Sequence, residues 1–219
     1  MAVEVKGLRK EIKGRVIYDG IDIHAPSGYV TGLAGVNGSG KTMLMRSIAG
    51  LIKPDKGSIA VDGQTLGPDI EFPPSIGVLI ENPAFLNGRS GFENLSLLAS
   101  IRSIADDERI RKVIEFVGLN PTDKRHFSKY SLGMKQRLGL AAAIMERPRL
   151  LLLDEPTNAL DSEGIAMLKS LVRGSKKGGA TVILACHDAS ILRELSDQIY
   201  YLAEGHVDGH ECLRDGDGL

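Results

Sequence analysis

A chain of 219 residues, 42% of them hydrophobic, is long enough to bury a substantial core as one large domain. A formal net charge of −1 gives no electrostatic footing for polyanion binding, so no nucleic-acid partner is expected. Two cysteines far apart in sequence, Cys186 and Cys212, exclude a disulfide framework and a cysteine-based metal site and fit a reduced protein.

Taken in chain order, the segments 3–8 and 16–24 interleave polar and apolar residues and read as strands. Residues 29–35 form a buried strand that ends in a glycine-rich turn. A helix over 41–49 follows, closed by Gly50. Two further strands are expected at 57–61 and 76–80. The pattern then changes. Segments 92–104, 106–117 and 133–145 carry helical spacing, with Asp106 as an N-cap and Pro148 as a stop after the third. Alternation resumes with strands at 150–153, 181–185 and 199–202 and helices at 162–173 and 190–195. An α/β core, 1–90 and 146–219, is thus interrupted by a helical insert at 91–145. No run reaches the roughly 20 apolar residues needed to cross a bilayer, and the first ten residues lack the apolar stretch of a secretory signal. Work at a membrane would require a partner to hold the chain there.

Two motifs carry chemistry. Gly35-Val36-Asn37-Gly38-Ser39-Gly40-Lys41-Thr42 fits G-x-x-x-x-G-K-[ST], between an expected strand and an expected helix. Glycines let the backbone wrap phosphate oxygens with no Cβ in the way. Successive N–H groups, Asn37 and Ser39 included, and the positive end of the helix bind anions. Lys41 is placed for the β- and γ-phosphates and Thr42 for Mg²⁺. On this motif alone a kinase, a GTPase and a motor stay open. The second motif is the apolar run Leu150–Leu153 ending in Asp154 and Glu155. Ligands of parallel sheets gather at the carboxyl ends of strands. That places Asp154 to hold Mg²⁺ and Glu155 to activate the attacking water. An acidic surface loop is the plain alternative for this pair, and the phosphate loop upstream argues against it.

Between these motifs lies Tyr130-Ser131-Leu132-Gly133-Met134-Lys135-Gln136-Arg137. It resembles the signature sequence of ABC ATPases, in a variant similar to that of the bacitracin and lantibiotic exporters. Ser131, Gly133, Gln136 and Arg137 match the common form; Tyr130, Leu132 and Met134 depart from it. Ser131 alone could be a simple helix N-cap. The resemblance extends over nearly the whole chain. It implies a P-loop NTPase fold of the ABC type, with an antiparallel β subdomain and the helical insert. It also implies ATP and Mg²⁺ as cofactors, hydrolysis of ATP, and a head-to-tail pair of copies in which Ser131 and Gly133 grip the nucleotide of the other copy. A separate transmembrane permease chain, and a place on the cytoplasmic face of the membrane, follow from the same resemblance. So do roles for Asp161 at the partner copy and for His187 near the γ-phosphate. Glu81 stands where the family usually has glutamine, as a metal and catalytic ligand that brings extra negative charge. Ile12 falls where the family stacks adenine on an aromatic ring, which predicts weaker base discrimination. The region 81–102, with Pro83, Ala84, Phe85, Leu86 and Phe92, is the expected seat of the permease, against the alternative that these residues pack internally. A soluble ABC ATPase serving DNA or ribosomes, a P-loop kinase and an inert ATP sensor are the competing readings.

Overall fold

The computed structural model describes residues 1–213. Two sheets organise it. The first is antiparallel, in the order β2-β1-β4-β5, built from β1 (Val3–Ile12), β2 (Arg15–Ala25), β4 (Lys56–Val61) and β5 (Gln64–Thr65). The second has the order β10-β9-β3-β8-β7-β6. Its members are β3 (Val30–Ala34), β6 (Ile76–Leu79), β7 (Leu150–Asp154), β8 (Thr181–Ala185), β9 (Gln198–Ala203) and β10 (His206–Cys212). All neighbours in it are parallel except β10, which pairs antiparallel with β9 at the edge. The helices are α1 (Lys41–Ile48), α2 (Gly91–Arg102), α3 (Asp107–Phe116), α4 (Leu132–Ile144), α5 (Ser162–Lys177) and α6 (Ala189–Leu195).

The apolar run of β7 is explained by burial on both faces. Leu150 and Leu152 join the core between the two sheets, which α1 completes through Leu44, Met45 and Ile48. Leu151 and Leu153 point the other way, into the core shared with α2 to α5. β8 divides in the same manner, with Ile183 and Ala185 in the first core and Val182 and Leu184, followed by Cys186 just past the strand, in the second. Cys186 is accordingly a small buried hydrophobe. Central strands with two packed faces hold the β3–α1 turn rigidly at their carboxyl ends.

The helical insert falls between β6 and β7, as its change of pattern predicted. Helices α2 to α5 each start where a polar cap satisfies free N–H groups. Ser90 and Glu93 form a capping box on α2, Asp106 caps α3, Ser131 caps α4 and Asp161 caps α5. Boundaries differ from the sequence reading by a few residues, chiefly in α5, which runs on to Lys177. Two strands escaped prediction. β5 has only two residues, and β10 alternates half-buried with exposed positions, so neither carries a core pattern. Among the described residues, no helix is long and apolar enough to cross a membrane.

Candidate functional site

A cavity of about 570 Å³ opens at the carboxyl ends of the parallel strands. Its lining includes residues 36–43, Asp154, Glu155 and His187, so two motifs remote in sequence meet there. The phosphate loop is shaped by what surrounds it. A Cβ on Gly35 would collide with the Leu202 carbonyl oxygen and lie 2.6 Å from Ser39 Oγ, so the β3 end can pass β9 only as glycine. Gly38 and Gly40 hold left-handed backbone. Gly40 is the N-cap of α1 and offers no side-chain cap, so the N–H groups of the first turn stay open to a ligand. Buried Lys41 donates from Nζ to the carbonyls of Gly35 (2.6 Å) and Val36 (3.2 Å), spanning the loop that would cradle phosphate.

Thr42 Oγ1 donates to Asp154 Oδ2 at 2.6 Å, tying α1 to the end of β7. The Asp154 carboxyl is held above its ordinary value, first by burial. Thr42 and Lys41 oppose that, Glu81 adds to it and Arg46 subtracts. Asp154 Oδ1 and Ser39 Oγ are buried with no hydrogen-bond partner. An orphaned carboxylate oxygen on the group that holds the Thr42 hydroxyl suits a hard cation that completes its shell with phosphate and water. Among the described residues there is no cluster of three or more His, Cys, Asp or Glu that could hold a metal by itself.

Glu155 sits in left-handed backbone at φ 47°, a conformation costing on the order of 1–3 kcal/mol that neighbours must enforce. They do so from three sides. Its N–H donates to Ala185 O at 2.9 Å, and its carboxylate Oε2 accepts from the His187 N–H at 3.1 Å. Gln136 Nε2 donates to the carbonyls of Glu155 (3.4 Å) and Pro156 (3.2 Å). His187 Nε2 lies 3.3 Å from Glu155 Oε1. Oε1 is buried and makes no aligned hydrogen bond, so its acceptor capacity is unfilled.

Other expected residues lie elsewhere. Ser131 and Gly133 are outside the cavity lining, at the start of α4, where Ser131 Oγ accepts from the Met134 N–H. Leu132 beside them is 62% exposed. A Cβ on Gly133 would stand 2.8 Å from the Ala159 carbonyl oxygen, so α4 reaches the loop after β7 only because this residue is glycine. Asp161 accepts from Gly164 N–H and from Arg137 at 2.8 Å each, and Arg137 also donates to Val117 O at the end of α3. Glu81 does not line the cavity; it pairs with Arg46 at 2.7 Å. Ile12 ends β1, opposite Arg15, and does not line the cavity either. Arg15, Val16 and Ile17 do, which the sequence reading missed. The β1–β2 turn, with left-handed Lys13 and Gly14, presents the start of β2 rather than the end of β1. Tyr18 is fully buried and bonded to Ser47 Oγ at 2.6 Å, as a core-strand residue should be.

A phosphate loop at the N-terminus of a helix, faced by a buried aspartate and a glutamate at the end of β7, two strands along the same sheet, defines a P-loop nucleotide-binding protein. The family model of the ABC transporter matches residues 18–158. The chain is 44% identical over 209 residues to an uncharacterized ABC transporter ATP-binding protein of Bacillus subtilis, YybJ, covering 95% of this chain and 96% of the relative. It is 39% identical over 207 residues to the bacitracin transport ATP-binding protein BcrA of Enterococcus faecalis, covering 94% and 67%. A solved ATP-binding subunit of an ABC transporter superposes with a TM-score of 0.89 at 25% identity, over 97% of this chain and 90% of that one. The chain belongs to the ABC transporter family, among its ATP-binding, ATP-hydrolysing subunits.

Proposed function

We propose that this chain powers transport, in the export direction, through a separate membrane-spanning partner on whose cytoplasmic face it sits. In this reading it works as two copies that close around two ATP molecules. The observation that carries the reading is the division of its motifs. The phosphate loop, Asp154, Glu155 and His187 share one cavity, whereas Ser131 and Gly133 stand outside it on the open end of α4. A second anion cradle that lies outside the nucleotide cavity needs another surface, and a head-to-tail copy supplies one.

Within each site, Lys41 and the open N–H groups of α1 hold the β- and γ-phosphates. Thr42 and Asp154 hold Mg²⁺, which when bound neutralises charge on the phosphates. Glu155 accepts a proton from the attacking water, and His187, 3.3 Å from that carboxylate, orients it and faces the γ-phosphate. Ser131 and Gly133 of the other copy complete the wall, and Asp161 lies at the joint between copies. Hydrolysis removes the clamp and lets the pair open, moving whatever is docked on the helical insert.

The insert supports a docking role. Phe85 and Phe92 pack against the inner core, Phe85 edge-on to Phe127 with ring centroids 5.2 Å apart. Leu97 and Ile101, one turn apart on α2, are 52% and 76% exposed. A chain that expects a membrane helix there has reason to leave such residues uncovered. The relatives named for bacitracin transport support a peptide-like cargo. Steady-state phosphate release tests the catalytic assignment. Glu155→Gln is expected to lower kcat at least about 10²-fold with ATP binding kept, and turnover at the parent rate would refute it.

A further inference from the structure

The loop after β6 carries a carboxylate that the nucleotide cavity has little room for electrically. Glu81 holds left-handed backbone at φ 60°, and its side chain, though 60% exposed, is engaged by a cationic partner. That partner is Arg46, one turn beyond Thr42 on α1, with guanidinium and carboxylate 2.7 Å apart. The cavity itself is lined by Arg15 and Lys41 against Asp154, Glu155 and Glu204, two fixed cations against three carboxylates. ATP adds several negative charges to that balance. A further carboxylate left bare beside it would repel the phosphates. Both members of the pair are within electrostatic reach of the site. After burial and the two groups that hold it directly, Asp154 is influenced next by Glu81 and by Arg46, in opposite senses.

We propose that Arg46 is a positioning residue: it holds the Glu81 carboxylate outside the nucleotide cavity and cancels its charge, so that nucleotide binds despite a carboxylate at this place. The proposal rests on the ATP-binding reading above. Its contribution to fold stability is small, because half-exposed ion pairs contribute little. Its effect is on the potential at the phosphates. Nucleotide affinity therefore depends on residue 46 only while residue 81 is charged.

Equilibrium binding of a fluorescent N-methylanthraniloyl-ATP to the full chain tests this, in chelator and in Mg²⁺. The parent chain, Arg46→Met, Arg46→Gln, Glu81→Gln and the double variant Arg46→Met with Glu81→Gln are compared. In chelator, both single changes at Arg46 are expected to weaken binding about fivefold, the size of a partly screened unit charge near the phosphates. Glu81→Gln alone is expected to tighten binding. The double variant is expected to recover to within about twofold of the parent. Mg²⁺ is expected to tighten binding by a larger factor in Arg46→Met than in the parent. Were Arg46 a mere brace for α1, its loss would persist in the double variant, and that result overturns the proposal. Unchanged affinity in both single variants at Arg46 overturns it as well. Failure of the parent chain to bind the probe is a different outcome: it removes the ATP-binding reading, and the proposal with it.

Discussion

The two anion cradles proposed for this protein are built to opposite standards. The phosphate loop is enclosed: Lys41 spans two carbonyls, Thr42 is bonded to Asp154, and β3, β7 and β8 behind them are buried on both faces. The cradle at the start of α4 has Ser131 exposed and Leu132 standing in solvent. It is nonetheless fixed in place. Gly133 abuts the Ala159 carbonyl, Gln136 grips the backbone of Glu155 and Pro156, and Arg137 grips Asp161. An enclosed site with rigid walls can bind alone. An exposed site held rigidly against the catalytic strand end is suited to feel, and to report, the arrival of a second surface.

Several changes sharpen that contrast. The largest effect is expected at the enclosed cradle, where Lys41→Ala removes the cation that faces the phosphates. Binding of N-methylanthraniloyl-ATP should weaken about 100-fold or more by titration, in line with the 3 kcal/mol scale of charge-assisted hydrogen bonds. A smaller effect is expected at the open cradle. Ser131→Ala deletes a helix cap, costing about 1 kcal/mol locally, and removes a hydroxyl offered to the other copy. ATP-dependent self-association followed by sedimentation should weaken about tenfold, with ATPase activity falling alongside it.

The smallest effect concerns stability and has a definite sign. Burial raises the Asp154 carboxyl above its ordinary 3.8. The folded chain then holds that proton more tightly than the unfolded chain. Stability is therefore lost as pH climbs from 3.8 through the folded value, and the penalty is full at neutral pH. Asp154→Asn relieves it and still lets Thr42 donate. Calorimetry of the nucleotide-free chain at pH 7 should show a higher melting temperature for the variant, with the difference fading in acid and ATPase activity abolished. A variant that melts lower at pH 7 would contradict this account of the site's strain.

Much of this was legible in the sequence because it is local or periodic. The phosphate loop announces itself by glycine spacing between a strand and a helix, and Leu150–Leu153 by a run that only a two-faced strand needs. The N-caps Asp106 and Ser131 stand where short polar side chains precede helical spacing. What escaped is what depends on contact between distant segments. Gln136 and Arg137 were visible as letters of a signature, but their bonds to the loop after β7 exist only after α4 has packed against the core. That Val16 rather than Ile12 lines the cavity depends on the twist of a hairpin tip, which cannot be read from spacing. β10 lacks a buried face to give it a pattern, and residues 214–219 lie outside the described part of the chain.

Everything in the mechanism turns on a nucleotide held between copies. Sedimentation of Glu155→Gln with and without MgATP, at fixed protein concentration, measures that most directly. The account predicts the mass of a single chain without nucleotide and twice that mass with MgATP, reverting when Ser131→Ala is added. A chain that binds MgATP and keeps the mass of one copy, alone or beside its membrane partner, would contradict it.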